Sequence, residues 1–178
     1  MDGILCTEEK YVITYSLFCY NNPFKQEGLF FIMKNMYFAH PVNVYNTPLE
    51  VELMEAIQSF FPDWHIENPN QPKHQEGYQK WLKETGNGMN YYLKEFLVNM
   101  DAVTGLSFKD GRIGAGVFGE EESIFKRTGN LWTLTYDKTL TKIDDFSLLQ
   151  PLALTVEETR QRIYVGGKRE NGIKGFFD

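Results

Sequence analysis

The sequence predicts a protein of the α/β class, and the middle of the chain carries the pattern that indicates it. A short apolar run, Ala102–Leu106, is typical of a buried parallel strand. It is followed by the turn Gly114-Ala115-Gly116, by a helical pattern over residues 117–126, and by a second apolar run, Leu131–Leu134. Strand, turn, helix and strand in this order form a βαβ unit. We therefore predict a three-layer sandwich around a mainly parallel sheet, Rossmann-like or flavodoxin-like.

The segments before this unit supply further strands and helices. Residues 36–39 are apolar and predict the first strand. Thr47 is a suitable N-cap for a helix whose apolar residues recur at helical spacing until Pro62 ends it. Residues 64–67 predict a second strand, and residues 76–84 predict a short helix. This alternation of strands and helices agrees with the α/β class.

The remaining segments are less regular. Residues 89–100 carry apolar side chains at helical spacing and lead into the middle strand. Residues 135–147 are polar with scattered apolar positions, which predicts a loop with short elements. Residues 148–154 predict either a last strand or an apolar lid. A second capping-box pattern at Thr155 predicts a helix through Tyr164.

The 178 residues suit one domain with a sizeable core, flanked by two terminal segments. Residues 1–32 are β-prone around a turn signal, so they form either an N-terminal extension or an added hairpin. Residues 33–165 carry the strand and helix signals of the domain. Residues 166–178 form a C-terminal tail that ends in an aromatic pair, which we expect to pack against this subunit or a partner.

Composition and charge exclude several classes of function. The net charge of −6 argues against duplex nucleic acid as a partner, since phosphate neutralisation needs clustered Lys and Arg. No apolar run is long enough to span a bilayer and no basic leader is present, so we expect no membrane association. Cys6 and Cys19 show no pattern that indicates a disulfide or a zinc site, so we expect a cytoplasmic protein with neither metal nor cofactor.

The glycine-rich turn points to one edge of the predicted sheet. Ligands of open α/β sheets bind outside the carboxyl ends of the strands, which is where Gly114 and Gly116 lie. Paired glycines let the backbone approach a sugar or phosphate closely, and Glu120, one helical turn further on, can point at the same ligand. The same pattern also suits tight packing of the helix on the strand, with Glu120 on a solvated face.

Four motifs in order resemble the nucleoside 2-deoxyribosyltransferase family. They are Tyr37-Phe38-Ala39-His40-Pro41 on the first strand, Met100-Asp101-Ala102-Val103 at the middle strand, Gly116-Val117-Phe118-Gly119-Glu120 in the following helix, and Gly129-Asn130-Leu131-Trp132 at the next strand. The resemblance covers residues 36–134, most of the predicted domain. It implies a Rossmann-type N-glycosidase that acts on a small-molecule nucleoside or nucleotide.

The resemblance also implies roles for individual residues. Glu120 would be the nucleophile at the anomeric carbon, and Tyr37 would hydrogen-bond to it and orient it. The alternative for Tyr37 is a strand tyrosine that is buried in the core. Asp110 and Arg112, on the loop before the glycines, would contact the sugar or phosphate of the ligand. The alternative is that these two residues form a salt bridge within the turn. The family pattern further implies a homo-oligomer, a dimer or larger. The substrate-binding candidates are His40, Asn68, Asp110, Arg112, Gly114 and Gly116.

The sequence departs from the family pattern at two acidic positions. Gly114 stands six residues before Glu120, where the family has an acid, and residues 90–92 hold no acid either. Residues 114–120 are also similar to the motif of phosphoribohydrolases of the cytokinin-activating type. A further alternative is a module that senses a nucleotide without cutting it, because fold alone does not determine function. Transferase and hydrolase activities both stay open, since the acceptor can be a base or water.

Overall fold

A five-stranded sheet forms the middle layer of the protein. The computed structural model describes residues 33–165 and 168–169, with side chains through Ile163. The strands are β1 Lys34–Ala39, β2 Trp64–Glu67, β3 Ala102–Leu106, β4 Leu131–Leu134 and β5 Leu140–Ile143. They lie in the order β2-β1-β3-β4-β5, with β1 to β4 parallel and β5 antiparallel at one edge. The predicted α/β fold with a mainly parallel sheet is confirmed.

Helices cover both faces of the sheet and complete the three layers. They are α1 Pro48–Phe60, α2 Pro72–Thr85, α3 Ala115–Thr128 and α4 Val156–Ile163. Successive side chains of a strand point to opposite faces. Phe38 therefore packs with Leu53 of α1 on one face, whereas Tyr37 shares the other apolar cluster with Val103 and Ile124 of α3. Each face of the sheet has its own core.

Three of the predicted helix ends agree with the structure. The Thr47 side chain accepts a hydrogen bond from the Glu50 N–H at 3.3 Å, which makes Thr47 the N-cap of α1. At the start of α4, Thr155 accepts from the Glu158 N–H at 3.2 Å and donates its own N–H to the Glu158 carboxylate at 2.8 Å, a complete capping box. Gly129 ends α3 in the left-handed conformation, with φ of 69°.

The two central strands send the chain to opposite faces of the sheet. β1 leads into α1 on one face and β3 leads into α3 on the other. The loops after β1 and β3 therefore diverge and leave a crevice at the topological switch point, where open α/β sheets bind their ligands. Ala39 and Gly105 are register partners at this end of the two strands. Their small side chains leave room on the face that α3 covers.

Two segments after β4 differ from the prediction. Residues 135–147 contain β5, which pairs with β4 in antiparallel register, in addition to loop. An edge strand with little burial shows weak alternation, which explains why the sequence pattern did not indicate it. Of the two alternatives predicted for residues 148–154, the strand is wrong, because this stretch consists of 3₁₀ turns and a single bridge from Ala153 to Ile113. Pro151 has no N–H to contribute to a strand ladder.

The connection between β2 and β3 also differs. The predicted helix over residues 76–84 begins earlier, at Pro72, a residue that suits the first position of a helix. Residues 89–100 do not form one regular helix, because Tyr91–Phe96 is a π-helix that is followed by a 3₁₀ turn. The wider π turn moves later side chains around the axis. Leu93 is 37% exposed as a result, although the predicted apolar face included it.

The predicted terminal segments lie mostly outside the described residues. This applies to residues 1–32, and to the tail over residues 166–178 except for Lys168–Arg169. The last helix ends at Ile163 rather than Tyr164, because Tyr164–Val165 pairs with Lys168–Arg169 as the short antiparallel strands β6 and β7. None of the described helices has the length and apolar character needed to cross a membrane.

Candidate active site

Two adjacent glutamates lie on the buried face of α3. Val117, Glu120, Glu121 and Ile124 occupy positions i, i+3, i+4 and i+7, which form one helical face, and all four are buried. The two apolar residues pack in the core against the sheet and carry the carboxyl groups into the same layer. Glu120 is 9% exposed and Glu121 is 1% exposed. Because a buried carboxyl group is costly unless it is well hydrogen-bonded, this pair marks a candidate functional site.

Glu121 lies directly against the backbone of β3. A Cβ added at Gly105 would be 1.5 Å from the Glu121 Oε1, so only glycine leaves space for this carboxyl group. The Glu121 Oε2 is buried without a hydrogen-bond partner among the described residues. Burial, and then the charge of Glu120, raise the pKa of Glu121 to about 8. Glu121 therefore favours the protonated form.

Glu120 lies beside the hydroxyl group of Tyr37. Burial raises the pKa of Glu120 to about 8, and the Tyr37 hydroxyl opposes that rise. Tyr37 is completely buried, and its hydroxyl has no hydrogen bond of regular geometry among the described residues. Burial and the charge of Glu120 raise the pKa of Tyr37 well above its ordinary value, so it stays a neutral donor. A neutral hydroxyl favours the ionised form of Glu120 over that of Glu121.

Tyr92 is a third member of this site that the sequence interpretation missed. Tyr92 packs against the core cluster that contains Tyr37 and Val117, and burial, followed by the charge of Glu120, raises the pKa of Tyr92. The Tyr92 ring packs edge-on against Phe96 at 6.3 Å, and Phe96 packs edge-on against Tyr37 at 5.8 Å. These three rings form an aromatic wall in the core cluster that also contains Val117 and Ile124 of α3. The only sequence signal was position, since residues 90–92 stand where the family that the sequence resembles has an acid.

The two glycines of the turn have different surroundings. Gly114 is the N-cap of α3, and a Cβ added there would lie 3.3 Å from Thr159 and 3.4 Å from Phe108. Gly116 lies in the first turn of α3, and a Cβ added there would meet no atom within 4 Å. The Thr159 hydroxyl also accepts the Ala115 N–H at 2.9 Å. Open space lies beside Gly116, whereas packing against α4 closes the Gly114 position.

His40 and Asn68 join a different cluster, around Glu50 of α1. His40 Nε2 and Asn68 Nδ2 donate to the Glu50 Oε1 at 3.1 Å and 3.0 Å. The Asn46 N–H and Asn70 Nδ2 donate to the other oxygen at 2.6 Å and 3.0 Å. This cluster ties the loops after β1 and β2 to α1, and no described contact joins it to Glu120. The binding roles predicted for His40 and Asn68 stay predictions.

Asp110 and Arg112 lie on the loop between β3 and α3, and both are engaged in local structure. Asp110 accepts the Arg112 N–H at 3.2 Å and forms an ion pair with Arg162 of α4 at 2.7 Å. The Arg112 guanidinium donates to the carbonyl oxygens of Leu152 and Ala153 at 3.1 Å and 3.3 Å. These contacts tie α4 and the preceding turns to the loop, so the roles predicted for both residues in binding stay predictions.

The carboxyl pair can divide acid and base roles between its members. Two carboxyl groups that interact in a buried site titrate as a pair, and they lose their protons one at a time. Because only Glu120 has a hydroxyl beside it, the first negative charge belongs on Glu120. An ionised carboxylate beside an aromatic wall suits attack on, or stabilisation of, a developing positive charge. Within the described part of the chain, no set of His, Cys, Asp and Glu side chains is arranged to hold a metal ion.

Comparisons with known proteins add no relative to this description. No family model matches the chain. No curated protein and no solved structure matches it either.

Proposed function

We propose that this protein cleaves or transfers the N-glycosidic bond of a nucleoside or nucleotide, with Glu120 as the nucleophile. The observation that carries the proposal is the buried Glu120–Glu121 pair at the switch-point end of a parallel sheet, with the Tyr37 hydroxyl on Glu120 alone. Glycosyl transfer by a double displacement needs an ionised carboxylate at the anomeric carbon. The resemblance of residues 36–134 to nucleoside 2-deoxyribosyltransferases assigns the same role to the same glutamate.

The proposed reaction proceeds in two displacements. The Glu120 carboxylate attacks C1′ of the sugar, the new C1′–O bond forms as the C1′–N bond breaks, and the electron pair of the broken bond goes to the base, which takes a proton from water. In the second displacement a base or a water molecule attacks C1′, and its proton passes to solvent as Glu120 leaves as a carboxylate. Tyr37 orients Glu120, and Glu121 retains the proton of the pair.

A panel assay tests this proposal directly. Deoxynucleosides and nucleoside monophosphates are incubated with the full chain, and the released base is measured by chromatography. Glu120→Gln should lower turnover by about 10⁴-fold, the scale of a lost nucleophile, while the far-ultraviolet circular dichroism stays unchanged. Turnover should rise with pH toward about 8 as Glu120 ionises, because burial holds its pKa there.

The matched control for this assay lies on the same helix. Glu122 is partly exposed to solvent and pairs with the exposed Lys126 at 2.9 Å, so Glu122→Gln should keep full turnover. Undiminished turnover in Glu120→Gln would refute the nucleophile. Loss of turnover in Glu121→Gln but not in Glu120→Gln would identify Glu121 as the nucleophile instead.

The second candidate is a module that binds a nucleotide without cutting it. The absence of an acid at Gly114, six residues before Glu120, favours it, because in the related family that acid helps the base to leave. Binding of a nucleoside in the same panel without release of any base would support this candidate over the enzyme.

A further inference from the structure

A cavity of about 550 Å³ lies at the switch-point end of the sheet, away from the glutamate pair. Val44 and Thr47 line it from the loop after β1, and Phe108 and Lys109 line it from the loop after β3. Arg162 closes it from α4. Neither Glu120 nor its aromatic wall belongs to the lining. The cavity has the size of a small-molecule site and occupies the crevice in which open α/β sheets bind ligands.

Two cations stand over two aromatic rings at this cavity. The Arg162 guanidinium lies 5.4 Å from the centroid of the Phe108 ring, and the Lys109 ammonium lies 5.9 Å from that of Tyr136. All four of these side chains line the cavity. A cation over an aromatic face is held in place while its hydrogen-bond donors remain available. The arrangement places two positively charged groups, the Lys109 ammonium and the Arg162 guanidinium, at the same cavity.

The charges at the cavity differ from those of the whole chain. Its lining carries two positive side chains, Lys109 and Arg162, and one negative side chain, Asp110, which leaves a net charge of +1. The chain as a whole has a net charge of −6. Asp110 pairs with Arg162 at 2.7 Å, whereas Lys109 makes no salt bridge within the described part of the chain. An anionic ligand would supply the carboxylate or phosphate oxygen that Lys109 lacks.

We propose that this cavity binds a sugar phosphate, either free or as part of a nucleotide, with the phosphate between Lys109 and Arg162. Arginine and lysine are the side chains that bind phosphate oxygens most strongly. The organic part of the ligand packs on the apolar wall that Val44 and Leu49 contribute. This site goes beyond the proposed function, since it shares no lining residue with the glutamate pair and does not require turnover.

Calorimetric titration of the full chain tests the site. Ribose 5-phosphate, AMP, inorganic phosphate and adenosine are the four ligands. Both phosphate esters should bind at least about tenfold more tightly than adenosine or inorganic phosphate, since only they combine charge with apolar contact. Equal affinity for adenosine would overturn the role of the cations, and equal affinity for inorganic phosphate would overturn the role of the apolar wall. Tighter binding of AMP than of ribose 5-phosphate identifies the ligand as a nucleotide.

Three variants separate charge from structure. Lys109→Gln and Arg162→Gln should each weaken binding of the esters by about tenfold, the size of one charge-assisted hydrogen bond. Asp110→Asn should act in the opposite direction and tighten binding by up to about fivefold, because it frees the Arg162 charge for the ligand. Weaker binding in Asp110→Asn would overturn the proposal, since a purely structural role of this loop predicts that result.

Two further variants serve as controls. Lys126→Gln removes one positive charge from the exposed side of α3 and should leave affinity unchanged. Lys142→Gln removes a positive charge from an exposed pair with Asp144 and should also leave affinity unchanged. In the unsubstituted chain, normal binding of the esters without base release from any compound of the panel would contradict the proposed function and support this site. Base release combined with no effect of Lys109→Gln on ester binding would do the reverse.

Discussion

The buried carboxyl groups on the two faces of the sheet differ in how they are hydrogen-bonded. Glu50, on the α1 face, is 5% exposed and accepts four hydrogen bonds. Glu120 and Glu121, on the α3 face, are 9% and 1% exposed and lie deeper in the protein, and among the described residues Tyr37 alone opposes the rise in the pKa of Glu120. Burial acts to raise the pKa of all three. In Glu50 the hydrogen bonds outweigh burial and the pKa is lowered.

Glu67 repeats the Glu50 arrangement at the end of β2. Its carboxylate accepts from His74 at 2.9 Å and from His65 at 3.1 Å, and it pairs with Lys73 at 2.8 Å. These partners outweigh burial and lower the pKa of Glu67 to about 2. Depth of burial and the number of donors together decide the sign of the shift, since Glu120 and Glu121 lie deeper in the protein than Glu50 and Glu67 and have fewer donors. Donor-rich carboxylates fix loops in place, whereas the donor-poor pair is costly to the fold and is the better candidate for function.

The largest effect on stability is expected at Glu50, whose carboxylate accepts four hydrogen bonds. Glu50→Ala leaves His40, Asn68 and Asn70 facing an empty site, and it should lower the free energy of unfolding by about 3–5 kcal/mol. Urea denaturation followed by circular dichroism measures the change. Glu52→Ala, on the same helix but in an exposed pair with Lys138, should cost less than about 1 kcal/mol. Equal losses in the two variants would show that the cluster adds no more than a surface pair.

The second test uses the pH dependence of stability to separate the Glu120–Glu121 pair from the hydrogen-bonded carboxylate of Glu67. Glu120 and Glu121 have pKa values near 8 when folded and 4.5 when unfolded, so the folded state holds their protons more tightly. Their stabilisation is complete below pH 4.5 and is lost as the pH rises toward 8, by up to about 1.4 kcal/mol per pH unit for each proton. Glu67 has the opposite sign, and its stabilisation is lost as the pH falls from 4.5 toward 2.

The stability of the double variant Glu120→Gln, Glu121→Gln should therefore no longer decrease as the pH rises above 4.5. Its stability should still decrease as the pH falls from 4.5 toward 2, because Glu67 is unchanged. Free energies of unfolding measured in urea at several pH values between 3 and 9 provide the comparison. Parallel curves for the unsubstituted chain and the double variant would show that the pair does not titrate as its burial requires.

The smallest of the three effects concerns the space that Glu121 occupies. Gly105→Ala places a methyl group where the Glu121 carboxyl lies, and it should cost about 1–3 kcal/mol of stability. Gly105→Ala combined with Glu121→Ala should cost less than the sum of the single changes by at least about 1 kcal/mol, because the clash is removed. Additive losses measured by thermal or urea denaturation would place the carboxyl group elsewhere.

Gly119→Ala is the matched control for this substitution. Gly119 lies in the interior of α3, and a Cβ added there would meet no atom within 4 Å. Alanine should therefore raise stability by up to about 1 kcal/mol through helix propensity. A loss at this position would show that space near the glutamates is more restricted than the contacts indicate.

The sequence predicted those features of the secondary structure that depend on residues close together along the chain. The caps at Thr47 and Thr155 and the stop at Gly129 are of this kind, because a cap forms with residues three or four positions away. The βαβ order and the α/β class follow from runs of apolar residues, whose spacing is also local. The edge strand β5 was missed because it is little buried and its pattern is weak.

Which residues form the candidate site depends on contacts between residues far apart in sequence, and local sequence patterns do not predict such contacts. The spacing of Val117, Glu120 and Ile124 places Glu120 on the inward face of α3, but its position beside Tyr37 is set by how α3 packs on β1. A π turn brings Tyr92 to the same place, although the apolar pattern of residues 89–100 indicated an ordinary helix. Tertiary packing decided these positions, because it stabilises pairs far apart in sequence and can override a local helical register.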